Sequence, residues 1–360
     1  MKTYYVGMDV HRASIVIVVL NGAGKVVMQY VTETSAARVR DFLKQLRGKV
    51  YVTFEEGTQA NEEGTQANWL HDLVRPLVTA VVVCDPRQNK LLQRGNKSDR
   101  IDAQKLAELL RNGALKAVYH GDNGMRMLKE LVRSYDCLVS DTTRVRNRLK
   151  AIYRGRAIGC GGHDIYRPDR RQQWLEKLQE PGARQRASFL YQQLAALKPL
   201  RHEAKRLMVK EAGRQTAYPW LMSVPQLGVV SVAQLLAIVG TPHRFRNKRQ
   251  FWPYVGLAVV TRTTADHEVV NGVLQRSRRP LATRGLNRNH NHVLKRVFKN
   301  AATTACHSGP FKAAYEARVA QGMDPSLARL TIARQLAAIT LALWKHKEKF
   351  NQERMKKQAV

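Results

Sequence analysis

The sequence predicts an α/β domain over residues 1–120 followed by two mainly helical domains, 121–215 and 216–360. Three observations carry this. Short β-branched runs alternate with helical patterns in the first third of the chain and then stop. From Leu128 onward the apolar positions step by three and four, which long helices require. The balance of 61 Lys plus Arg against 28 Asp plus Glu leaves a net charge of +33, far more than solubility needs, so a polyanion is the expected partner.

Thr3–Met8, Ile15–Leu20 and Val26–Val31 are separated by the turn-prone His11-Arg12 and Asn21-Gly22-Ala23-Gly24, and together predict a meander of three antiparallel strands. A helix follows over Ala36–Leu46, then a fourth strand over Val50–Phe54. A helix through Trp69, Leu70, Leu73 and Leu77 leads to a fifth strand at Val78–Cys84. A meander followed by strand–helix alternation is the order of an RNase H-like fold. Ser98 caps the next helix, whose first turn carries Asp99 and Asp102 on one face beside the positive dipole end. Ile101, Leu106, Leu109 and Leu110 are its expected buried stripe.

Asp9 falls at the end of the first strand and Glu55 at the end of the fourth, so a compact sheet brings both toward Asp99 and Asp102. Clustered carboxylates raise one another's pKa unless a cation neutralises them, and Mg²⁺, or Mn²⁺ in its place, takes oxygen ligands of this kind. Each acid alone also serves as strand-end or cap polarity; the set in this order points to a metal. Glu55-Glu56-Gly57-Thr58-Gln59-Ala60-Asn61 is repeated at once as Glu62-Glu63-Gly64-Thr65-Gln66-Ala67-Asn68. Glu55 directly follows its strand and is the expected ligand, with Glu62 as competitor.

A hydrophobic share of 44% fits globular protein, and the longest apolar run near the start, Ile15–Leu20, is too short for a signal peptide or membrane span. The expectation is a cytoplasmic protein with no membrane partner. Cys84, Cys137, Cys160 and Cys306 lack any paired spacing and are expected to be reduced thiols.

In the middle domain Leu128, Leu131, Tyr135, Leu138, Thr142, Val145, Leu149 and Ile152 form a heptad seam, continued on a second helix by Leu190, Leu194, Leu197, Arg201, Ala204 and Met208. The expectation is a long helical hairpin or coiled coil whose narrow seam is buried against another subunit, with simple packing inside one chain as the alternative. The last domain opens with Val224-Pro225-Gln226-Leu227-Gly228-Val229, a helix-hairpin-helix-like turn in which Gln226 occupies the place of the first glycine. Residues 241–300 then hold a net charge of +11. Arg244, Arg246, Lys248, Arg249, Arg276, Arg278, Arg279, Arg284 and Arg288 are its candidate nucleic-acid contacts. His290 and His292 suit phosphate or structural hydrogen bonding better than a metal, since no third ligand is near in sequence.

Gly7-Met8-Asp9, Phe54-Glu55, Asn96-Lys97-Ser98-Asp99-Arg100-Ile101-Asp102-Ala103, the hairpin turn and Tyr254-Val255-Gly256-Leu257 together closely resemble the DEDD transposases of the insertion-sequence one-hundred-and-ten family. Leu274-Gln275-Arg276-Ser277-Arg278-Arg279-Pro280 with Arg284-Gly285-Leu286-Asn287 is similar to its eleven-eleven subgroup. The resemblance implies a RuvC-like N-terminal domain, a coiled coil, and a C-terminal transposase domain whose serine attacks double-stranded DNA at element ends and target. It also implies a structured noncoding guide RNA, dimers joining into a tetramer, and action at the bacterial nucleoid in the cytoplasm. Asp9, Glu55, Asp99 and Asp102 fall on the four acidic positions, and Thr264 falls on that of the serine. Threonine keeps the hydroxyl but adds a methyl that restricts χ1; Ser277 is the nearest alternative nucleophile. A Holliday-junction-type nuclease and a decayed copy that only binds nucleic acid are the rival readings.

Overall fold

Side-chain alternation builds the first domain. The computed structural model describes residues 2–55, 66–84, 98–115, 117–118, 125–262, 267–270, 272–276 and 282–353. These fall into two compact units, Met1–Asp122 and Asn123–Val360. In the first, β1 (Thr3–Val10), β2 (Ser14–Asn21), β3 (Val26–Glu33), β4 (Lys49–Glu55) and β5 (Ala80–Cys84) form one sheet in the order β3-β2-β1-β4-β5. β1 runs antiparallel to β2 and parallel to β4, and β4 runs parallel to β5. A mixed sheet of this order is consistent with an RNase H-like domain.

On one face Val6, Met8, Val50, Val52 and Phe54 pack with Val39, Phe42 and Leu43 of α1 (Ala36–Lys44) and with Leu70 and Val74 of α2 (Gln66–Val74). The other face receives α3 (Asp99–Arg111), whose Ala103 and Ala107 lie with Val16, Val18 and Leu20 of β2. β2 is therefore buried on both faces, which is why Ile15 to Leu20 is an unbroken apolar run rather than an alternating one. Ala103, Leu106 and Ala107 are the buried residues of α3, while Ile101, Leu109 and Leu110 are only partly covered. Leu106 is buried as expected, but the residues beside it on the sheet are Ala103 and Ala107 rather than larger ones. The reason is Gly7: a Cβ there would lie 2.0 Å from the Ala103 carbonyl oxygen and 2.7 Å from the Ala107 nitrogen. Backbone meets backbone at that point, and only short side chains fit around it.

The second unit opens with α4 (Arg126–Arg154) and α6 (Pro181–Gly213). Leu128 and Val132 share a cluster with Met208 and Ala212, whereas Val145, Leu149 and Ile152 share one with Ala183, Ala187 and Leu190. Opposite ends pair, so the two helices form an antiparallel hairpin. At both ends the heptad seam buries against the same chain, while Leu131, Tyr135, Leu138, Leu194, Leu197 and Arg201 are only partly covered. Each Leu or Ile withdrawn from water in this way contributes about 1.5–3 kcal/mol before entropy is counted. At the tip, α5 (Arg171–Glu176) presents Trp174, edge-on to Tyr153 at 5.3 Å.

The base of the hairpin shares one core with the C-terminal helices: α7 (Tyr218–Met222), α8 (Val229–Val239), α9 (Lys248–Tyr254), α10 (His292–Ala305), α11 (Lys312–Ala320) and α12 (Pro325–His346). α12 is long and apolar enough to cross a membrane, but its Ile332, Ala333, Leu336, Ala337, Leu341 and Trp344 lie in this core. Burial within the protein explains its composition. Strands do not stop at residue 120: β6 (Val259–Arg262) pairs with β9 (Ala282–Leu286), and β7 (His267–Val270) with β8 (Val273–Arg276). The overlooked signal is Asn271-Gly272 between two valine-containing runs, a strong hairpin dipeptide, and Gly272 has φ +79°. Cys137, Cys160 and Cys306 are free thiols, as their spacing predicts.

Candidate active site

Parity in the sheet decides which acids share a face. In β1, Val6 and Met8 face α1 and α2, so Gly7 and Asp9 face α3; in β4, Val52 and Phe54 leave Thr53 and Glu55 to that same side. Met8 with Phe54 is the last pair of the parallel register, and Asp9 and Glu55 each follow it by one residue near the strands' carboxyl ends. The Ser98 hydroxyl accepts from the Ile101 amide at 3.3 Å and fixes the start of α3, whose first turn presents Asp99 and Asp102. Asp9, Asp99 and Asp102 stand close enough for their charges to act on one another, and Glu55 ends the neighbouring strand on the same face.

Reading the residues alone missed His11. Its Nε2 lies 3.3 Å from Asp9 Oδ2 and 3.4 Å from Asp99 Oδ2, and the ligand atoms of the three residues fall within 4.8 Å of one another. The sequence signal was Asp-x-His at a strand end, but His11 sits in a turn-prone dipeptide that needed no further explanation. Burial raises the Asp9 pKa above the ordinary carboxylate range; His11 opposes that, while the charges of Asp99 and Asp102 add to it. Asp102 Oδ1 is buried with no hydrogen-bond partner. A cluster of hard oxygens, one of them orphaned and another resisting ionisation, is a donor set that fits a divalent cation such as Mg²⁺ or Mn²⁺.

Thr264, Ser277 and Glu62 lie outside the described residues, as do Arg278 and Arg279. Of Arg276 and Arg284 only the backbone is described, in β8 and β9. Arg246, Lys248, Arg249 and Arg288 are exposed and available to a phosphate backbone. Arg244 is engaged elsewhere: its Nη1 donates to the carbonyls of Ile238 at 3.1 Å and Val239 at 2.9 Å, and its guanidinium lies 5.0 Å from the Tyr254 ring centre. It closes the last turn of α8, where carbonyls lack helical partners and attract a cation. His290 packs edge-on against His292 at 4.6 Å and fills the space where a Cβ on Gly256 would stand. That is a packing role.

An α/β domain with clustered acids, in one chain with a basic helical domain, fits metal-assisted chemistry on a nucleic acid. Residues 6–155 match a family model described as "Transposase", that of the DEDD domain of the IS110 transposases. Residues 218–316 match the "Transposase IS116/IS110/IS902 family". The two matched stretches are IS110-family transposase domains. No curated protein is significantly similar to it in sequence.

Proposed function

We propose that this protein is a divalent-metal-dependent recombinase that moves its own insertion sequence, guided by a noncoding RNA. The observation that supports the metal-dependent part is the closeness of Asp99 and Asp102 to Asp9, with Asp102 Oδ1 left unpartnered; Glu55 joins the set by strand parity and the family resemblance. RNA guidance and assembly into dimers and tetramers rest on the family resemblance. The four carboxylates would hold the cation, which when bound neutralises charge on the scissile phosphate. Thr264 is the proposed nucleophile: its Oγ1 loses a proton and forms a new bond to phosphorus as the strand's bridging P–O bond breaks and a strand-end hydroxyl departs. Attack by another strand's hydroxyl on that linkage rejoins DNA and frees Thr264, so bond energy is conserved. Arg246, Lys248, Arg249 and Arg288 supply the exposed cations that bind the nucleic-acid backbone.

The second reading is a copy silenced at its nucleophile, favoured by threonine at the serine position and by the tandem heptapeptide repeat after β4. One experiment separates the two. The purified protein is incubated with the RNA of its flanking element, donor and target DNA and Mg²⁺, beside Thr264→Ser and Asp99→Ala. Recombinant product from the natural chain that Asp99→Ala abolishes supports the recombinase. Product only after Thr264→Ser supports the silenced copy. Cleavage without rejoining or a protein–DNA adduct refutes both in favour of a nuclease that uses water.

A further inference from the structure

We propose that His11 is a nitrogen ligand of the metal at this site, completing a set with Asp9 and Asp99 and tilting its preference toward Mn²⁺ over Mg²⁺. The inference rests on the reading of the acidic cluster as a metal centre and goes beyond it, because it adds a ligand of different chemistry. Three atoms converge: His11 Nε2 stands 3.3 Å from Asp9 Oδ2 and 3.4 Å from Asp99 Oδ2, and all three ligand atoms lie within 4.8 Å of one another. Adjacent ligands around an octahedral ion with bonds of ~2.1 Å stand roughly 3.0 Å apart, so the spacing is that of neighbours in one coordination sphere.

The alternative use of the ring is an ion pair or hydrogen bond with these carboxylates, and the geometry divides it between two partners. An imidazole Nε2 carries one hydrogen, directed along a single line in the ring plane, so it cannot satisfy two carboxylates at full strength. A cation between the three is reached by all of them at once. His11 enters the site on the short turn between β1 and β2, where the His11 amide donates to the Ser14 carbonyl at 2.9 Å and ties the loop. The Thr34 hydroxyl donates to the His11 carbonyl at 2.8 Å, a second tether to the backbone that carries the ring. Imidazole is a softer donor than carboxylate and suits first-row transition ions, whereas Mg²⁺ favours oxygen and water. One nitrogen in an otherwise oxygen-based set therefore raises affinity for Mn²⁺ more than for Mg²⁺.

The test is electron spin-echo spectroscopy of Mn²⁺ bound to the full-length protein, with Mg²⁺ displacement of the signal as the second measurement. The expected result is nuclear modulation from an imidazole ¹⁴N in the natural chain, lost in His11→Ala and in His11→Gln while Mn²⁺ still binds. The variants should bind Mn²⁺ about tenfold more weakly or worse, with Mg²⁺ affinity changed less. Half of the His11 side chain is exposed, so neither change threatens the core. Bound Mn²⁺ without imidazole modulation, or modulation that persists in both variants, overturns the role of His11 and leaves the carboxylate site standing. Absence of Mn²⁺ binding by the natural chain that also persists for Mg²⁺ overturns the metal centre itself.

Discussion

Gly7→Ala tests whether the close seat of α3 on the sheet assembles the acidic cluster. The added Cβ would stand 2.0 Å from the Ala103 carbonyl oxygen, 2.7 Å from the Ala107 nitrogen and 3.1 Å from the Ala103 carbonyl carbon. Contacts below about 3.0 Å are forbidden by hard-sphere repulsion, so the helix must retreat by roughly 1 Å at that point. All three obstructing atoms are backbone, and no rotamer change relieves them. Overpacking of this kind typically costs about 1–3 kcal/mol, and the rigidity of both partners places this case at the upper end. Asp99 and Asp102 precede Ala103 on the same helix and move with it, away from Asp9. A misplacement of about 1 Å in a catalytic set can cost on the order of 10²-fold in rate. Denaturant unfolding measures the first effect, and Mn²⁺ titration with recombination kinetics the second. Adding Ala103→Gly to the variant should not rescue it, because that change leaves the backbone oxygen in place. Natural stability together with natural metal affinity in Gly7→Ala would refute the account.

Four further outcomes follow from particular residues. Asp9 has a folded-state pKa above its unfolded value, so in metal-free protein the native state binds more protons than the unfolded state, and stability falls as pH rises out of the ordinary Asp range. Melting in EDTA between about pH 4 and 7 should show that fall in the natural chain and a flatter, higher profile in Asp9→Asn; a steeper decline in the variant would contradict it. Gln226 adopts φ +66° in the turn between α7 and α8, and its amide reaches Ser308 Oγ only at 3.5 Å. Gln226→Gly should therefore stabilise the chain by about 0.5–1 kcal/mol in chemical denaturation. Arg244→Ala should destabilise by about 1–2 kcal/mol by exposing the end of α8, while the salt dependence of DNA binding stays unchanged. Arg249→Ala should do the reverse and lower the slope of log K against log salt by about 0.9.

The five strands of the first sheet, α1 to α3, and the Ser98 cap were all legible from β-branched runs, turn residues and capping chemistry, which act over a few neighbours. The candidate acids were legible too, since each ends or begins an element whose place in the sheet follows from its order. Less visible were features that depend on what stands opposite. Leu109 and Leu110 belong to the apolar pattern of α3, yet Ala103 and Ala107 are what the sheet covers, because Gly7 draws the helix in. The heptad seam was plain, but whether its other side was the same chain or a second subunit is not written in its period. Arg244 counted as one more basic residue until the end of α8 claimed it.

By itself the sequence determined the element types of the first domain, the strand parity that puts Asp9 and Glu55 on one face, and the net charge from which a polyanion partner is expected. These rest on local geometry and composition. Only the tertiary structure decided that His11 joins Asp9 and Asp99. It alone showed the orphaned oxygen of Asp102 and the answer of α6 to the seam of α4. Those facts are distances between segments far apart along the chain, and such distances exist only once the backbone has closed on itself.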